Sequence, residues 1–136
     1  YLIEISYRLN NDPPDKLVFI DLIKKTIFLI KECVPNKKDI HKEIDELMDC
    51  ELMKTYIENN VNFDNYFSDL IHIILDFIKK FHSPIYDIEL DKFRERCNND
   101  LNNNIKYTYF VNYYFNEVFI RLNKIIEERN DFFTNN

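Results

Sequence analysis

The absence of glycine is the feature that most restricts how this chain of 136 residues can fold. Tight hairpin turns depend on residues with positive φ, and glycine is the usual choice there. The sequence instead contains long stretches in which apolar residues recur every three or four positions, the spacing of one helix face. Together these observations predict an all-α fold.

The chain has the length of one domain, and a domain of this size buries about two thirds of the surface that its unfolded state exposes. Its hydrophobic (46%) and charged (31%) fractions are ordinary for a globular protein. We therefore predict a single helical domain over 1–136. Because Tyr1 falls within a helical pattern, we expect the sequence to be a fragment of a longer protein. The lack of Gly and Ala, which have GC-rich codons, indicates an AT-rich genome.

The net charge of −6 argues against a general nucleic-acid binder and against docking on anionic lipid, since both need a basic surface. No apolar run approaches the ~18 residues that cross a bilayer, so we expect no membrane insertion. Three widely spaced cysteines, Cys33, Cys50 and Cys97, are typical of free thiols in a reducing compartment. We accordingly predict a cytoplasmic protein.

Prolines and acidic or amide residues divide the chain into about seven predicted helices. They cover the end of a helix at 1–9, then 14–34, 37–48, a short helix capped by Asp49, 64–81, 88–97 and 105–129. The helix at 64–81 has the widest apolar stripe, which predicts a central position. We expect a polar loop over 98–104 and a frayed tail over 130–136.

The stretch KFHSPIYDIEL, residues 80–90, is predicted to form a structural corner between two helices. Pro84 disfavours helix at Ser83, which ends the helix before it. Asp87 then offers a carboxylate that can cap the helix after it. On this interpretation, Pro84 and Asp87 have a structural role: one ends a helix and the other begins the next.

The sequence offers no motif for chemistry, so we predict no catalytic, metal or cofactor site and no enzyme. The histidines and cysteines lack the paired spacing of a zinc site. Phosphate-binding loops and EF-hand loops require glycine. The acidic clusters fall near helix starts, where negative charge interacts favourably with the helix dipole, or on polar faces.

The last predicted helix carries more aromatic residues than one buried stripe needs. Its second stripe consists of Tyr109, Tyr113 and Ile120. Core packing is one explanation of these residues. The other is a protein interface, either with the remainder of a longer protein or with a second copy.

The succession of corners and stripes over 13–90 resembles the T-complex protein 11 family. A Pro-Pro-Asp opens a helix that ends in proline, and a later helix leads into a motif written Cys-Ala-Pro-Val-Arg-Asp in the family. Pro84 and Asp87 match that motif, whereas Tyr86 replaces its Arg. The family's Leu-Met-Asp-x-x-Leu-Met/Ile-Lys element is matched by Leu47, Met48, Asp49, Leu52, Met53 and Lys54.

The resemblance implies a helical, non-enzymatic protein linked to cyclic-AMP and protein kinase A signalling, in animals associated with sperm function. It brings no catalytic residues. The partner it implies is a kinase A pathway component, and a second copy is the other candidate. The alternative functions are a structural or oligomerising domain in a cytoskeletal or flagellar assembly and, more remotely, a small-molecule pocket among the aromatics.

Overall fold

A computed structural model of the chain describes residues 16–59, 61–103 and 105–135, and every regular element in them is helical. Six α-helices and one 3-10 turn are present in this part. The helices are α1 (Val18–Cys33), α2 (Lys38–Leu47), α3 (Cys50–Asn59), α4 (Phe63–Phe81), α5 (Asp87–Asn102) and α6 (Tyr107–Asn135), and the 3-10 turn is Pro84–Tyr86.

The predicted all-α class is confirmed for the described residues, and the predicted helix at 64–81 corresponds to α4. The predicted count of about seven helices is not matched by the six described. The helix predicted over 1–9 lies outside the described residues.

The predicted loop over 98–104 is wrong, because α5 continues to Asn102. Packing explains the extension, since Leu101 lies against the core and Asp100 accepts a hydrogen bond from the Tyr113 hydroxyl. The predicted end of the last helix at 129 is also too early, because α6 continues to Asn135. In both cases polar residues that are common in loops continue a helix, and in α5 tertiary contacts hold the extension.

Helices α1 and α4 form the inner part of the bundle. Helix α1 packs on α2, α3, α4 and α6, and α4 packs on α1, α3, α5 and α6. Helices α1 and α4 each bury one broad face. The buried residues of α4 are Phe63, Phe67, Leu70, Ile71, Ile74, Leu75, Phe77 and Ile78.

Helix α6 runs alongside α1 in the same direction. The Lys25 ammonium lies 4.8 Å from the centroid of the Phe119 ring, and Cys33 Sγ lies 3.7 Å from the carbonyl oxygen of Leu122. A buried hydrogen bond of 2.8 Å from the Tyr114 hydroxyl to the carbonyl of Ile71 ties α6 to α4.

The predicted cap of α3 is confirmed. Asp49 Oδ1 accepts a hydrogen bond of 3.1 Å from the backbone N–H of Leu52, which satisfies one of the free donors at the start of the helix.

Candidate functional site

The predicted corner at Pro84 is present and connects α4 to α5. Ser83 is extended (φ −63°, ψ 137°), as expected for a residue before proline, and this ends α4. Pro84–Tyr86 then forms one 3-10 turn, and α5 begins at Asp87. The corner therefore changes the chain direction within five residues.

The predicted role of Asp87 as a helix cap is wrong. Its side chain makes no hydrogen bond to the backbone at the start of α5. Asp87 Oδ1 instead lies 2.7 Å from His82 Nε2, and the His82 side chain is only 4% exposed. A buried polar group needs such a partner, so Asp87 stabilises the corner through His82.

A groove lies between this corner and the side of α6. Its volume is about 140 Å³. It is lined by His82, Tyr86, Glu89, Glu117, Ile120, Arg121, Lys124, Ile125 and Glu128. We call it the corner groove.

Charged residues form most of the corner groove walls. The Tyr86 hydroxyl donates a hydrogen bond of 2.9 Å to Glu128 Oε1, and the Lys124 ammonium lies 4.4 Å from the centroid of the Tyr86 ring. Arg121 Nε donates to Glu117 Oε1 at 2.9 Å within α6. These contacts hold charges of both signs in fixed positions around the groove.

Lys124 is the residue of the corner groove whose titration is shifted. A hydrogen bond with Tyr86 raises the pKa of Lys124, and the nearby carboxylates of Glu128 and Glu89 raise it further. Lys124 is protonated at neutral pH and places a positive charge beside Tyr86.

Exposed isoleucines lie on the corner and on the α6 wall of the corner groove. Ile85 and Ile88 are 77% and 70% exposed, and Ile120 on the opposite wall is 56% exposed. Ile85 and Ile88 are three residues apart and project to the same side of the chain. The groove thus combines exposed aliphatic surface with fixed charges.

The three residues of the predicted interface stripe differ in exposure and contacts, and the rings of Tyr109 and Tyr113 lie 5.5 Å apart. Tyr109 is 53% exposed and Ile120 lines the corner groove. Tyr113 is half-buried, its ring contacts Phe93 edge-on, and the Arg96 guanidinium lies 4.0 Å from its centroid. Contacts within the chain explain the position of Tyr113. Tyr109 and Ile120 remain the candidates for a protein interface.

The surroundings of half-buried Tyr113 and of the buried thiols Cys33 and Cys97 keep all three side chains protonated. Burial, followed by the hydrogen bond with Asp100, raises the pKa of Tyr113. Burial raises the pKa of both Cys33 and Cys97 to about 12. A thiol that stays protonated at physiological pH is a poor nucleophile and a poor metal ligand.

Within residues 16–59, 61–103 and 105–135, no group of three His, Cys, Asp or Glu side chains is arranged to hold a metal ion. The described helices include none that is both long and apolar enough to cross a bilayer. The corner groove itself offers aliphatic contact and paired charges, which suit the binding of a polypeptide.

Sequence analysis identified the corner and Ile120 separately and did not place them together. It also missed Tyr86, Lys124 and Glu128 as members of one site. The spacing of 117, 121, 124 and 128 marks one side of a helix, but nothing in a single sequence shows which other helix that side faces.

No protein-family model, curated protein or solved structure matches the chain. The resemblance to the T-complex protein 11 family therefore stays a prediction from the sequence.

Proposed function

We propose that this chain is a non-enzymatic, cytoplasmic protein-interaction module and that the corner groove is a contact surface. The observation that carries the proposal is a set of three isoleucines that are each more than half exposed: Ile120 lines the corner groove, and Ile85 and Ile88 lie on the corner itself. A partner that covers them removes apolar area from water. The fixed charges of the groove walls would then orient that partner.

We further propose that the partner is a component of the cyclic-AMP and protein kinase A pathway. This part of the proposal rests on the sequence resemblance over 13–90 alone. That resemblance includes Pro84 and Asp87, so the corner is the first part of the surface to test.

The test measures binding of purified protein kinase A regulatory subunit to the chain and to two variants. Ile88→Asp places a charge on the exposed apolar surface of the corner. Phe28→Asp is the matched control, because Phe28 is 61% exposed on α1 and does not line the corner groove. We expect Ile88→Asp to weaken binding about tenfold or more, as at a central contact residue, and Phe28→Asp to leave binding unchanged.

Absence of binding by the unaltered chain would contradict the kinase A part of the proposal. Equal loss in both variants would contradict the assignment of the corner groove.

A structural or oligomerising role is the second candidate function. It is supported by Tyr109 and Ile120, which are both more than half exposed and lie eleven residues apart on α6. Eleven residues are about three helical turns, so the two side chains project to the same side. A second copy could cover that side of α6.

Light scattering of the purified chain separates the two candidates. A dimer that Ile120→Asp converts to monomer would favour oligomerisation. A monomer at all accessible concentrations would favour the interaction module.

A further inference from the structure

A second groove lies between α2 and α4, and its lining is different from that of the corner groove. It is lined by Glu43 and Leu47 from α2 and by Ile73, Asp76, Phe77 and Lys80 from α4. Leu47 is 42% exposed, Ile73 is half-buried and Phe77 is buried. The floor of this groove, which we call the α2–α4 groove, is therefore apolar.

The segment from Glu43 to Asp76, which connects the two walls of the α2–α4 groove, is strongly acidic. Between Glu43 and Asp76 the sequence has nine carboxylates and one lysine, and all nine carboxylates are exposed. On α2, Glu46 lies one helical turn after Glu43, and on α4, Asp69 lies one turn before Ile73. Each is therefore on the side of its helix that faces the groove.

The cations near the α2–α4 groove do not balance these carboxylates. Lys31 pairs with Asp45 at 2.7 Å, Lys54 with Glu58 at 4.0 Å and Arg94 with Asp76 at 2.6 Å. Lys80 lines the groove itself. Glu43, Glu46 and Asp69 form no ion pair with any other residue that the structure describes. An excess of negative charge thus borders an apolar floor.

We propose that the α2–α4 groove docks a basic amphipathic helix of a partner protein. The apolar side of that helix packs on Leu47 and Ile73, and its Lys or Arg residues reach Glu43, Glu46 and Asp69. Helix-in-groove recognition uses apolar anchors at helical spacing, and complementary charge speeds the encounter. The inference goes beyond the corner groove, and it supplies the second surface that an adaptor needs to join two partners.

The first test uses a synthetic helical peptide of Leu and Lys with Leu on one face, and a counterpart with Glu in place of every Lys. Fluorescence anisotropy measures the affinity of each peptide for the full chain. We expect the Lys peptide to bind, more weakly as salt increases, and the Glu peptide not to bind. Equal binding of the two peptides would overturn the inference.

The second test locates the binding with matched variants. The pair Glu43→Gln and Glu46→Gln removes two charges at the α2–α4 groove, and the pair Glu127→Gln and Asp131→Asn removes two exposed charges from α6. We expect the first pair to weaken binding of the Lys peptide about fivefold and the second to leave it nearly unchanged. Equal weakening by both pairs would show general charge attraction and overturn the inference.

A third variant tests the apolar floor. Leu47→Asn should also weaken binding of the Lys peptide. Because Leu47 is partly exposed, the variant should still fold, and circular dichroism checks this. Ile88→Asp at the corner groove should have no effect on this peptide. If Ile88→Asp abolishes its binding, the inference fails while the proposed function stands.

Discussion

His82 shows how a single buried side chain defines the corner between α4 and α5. Its Nε2 lies 2.7 Å from Asp87 Oδ1, and the two residues come together only after Pro84 has turned the chain. The sequence pattern favoured a cap at Asp87, because aspartate is common at the first residues of helices. The pattern could not show that a buried imidazole five residues earlier would bind the same carboxylate.

Replacing Asp87 tests this contact. Asp87→Ala leaves the buried Nε2 of His82 without its partner, and we expect the free energy of unfolding to fall by about 1–3 kcal/mol. Asp87→Asn retains an oxygen acceptor and should lose much less. Asp91→Ala is the control, because Asp91 bonds Lys79 at an exposed site, 3.2 Å away. Chemical denaturation measures all three, and equal losses in Asp87→Ala and Asp87→Asn would contradict the account.

The three cysteines should differ in reactivity. Burial raises the pKa of Cys33 and Cys97 to about 12, whereas Cys50 is partly exposed and shows a smaller rise with the same main cause. The thiolate is the reactive form, so one thiol per chain, Cys50, should react readily with a disulfide reagent near pH 8. Cys33 and Cys97 should react only in denaturant, and mass spectrometry of labelled peptides identifies the sites. Rapid labelling of Cys97 in the folded chain would contradict its burial.

At the scale of the helices, the sequence predicted where apolar stripes occur better than where helices end. The stripe of α4 is long and regular, and its prediction was correct to one residue at its start. The end of α5 was missed because Asn102 and the residues before it have loop character, while Leu101 and Asp100 are held by contacts with other parts of the chain. Such contacts join residues far apart in sequence, so a local pattern cannot contain them.

Two neighbouring positions on α6 provide a matched test of its orientation. Leu122 is fully buried between helices, whereas Ile120 is 56% exposed. Leu122→Ala should lower the free energy of unfolding by about 2–5 kcal/mol, because it leaves a cavity in the core. Ile120→Ala should change it by less than about 0.5 kcal/mol. Thermal or urea unfolding measures both, and similar costs at the two positions would show that α6 faces the core differently.

At the scale of the whole molecule, the two grooves differ in chemistry. The corner groove has paired charges and the aliphatic residues Ile120 and Ile125, and the α2–α4 groove has an apolar floor and carboxylates that form no ion pair within the described part of the chain. Composition indicated a net acidic protein, but it could not show that Glu43 and Asp76 would line one groove with an apolar floor. Two unlike surfaces on one small bundle are consistent with a protein that connects partners.

Hydrogen exchange of the chain, alone and in complex with a captured partner, tests the central claim that the corner groove is a contact surface. If the account is correct, backbone amides over 83–89 exchange more slowly in the complex, because a bound partner covers Ile85 and Ile88. Unchanged exchange over 83–89, together with slowing elsewhere on the chain, would contradict it.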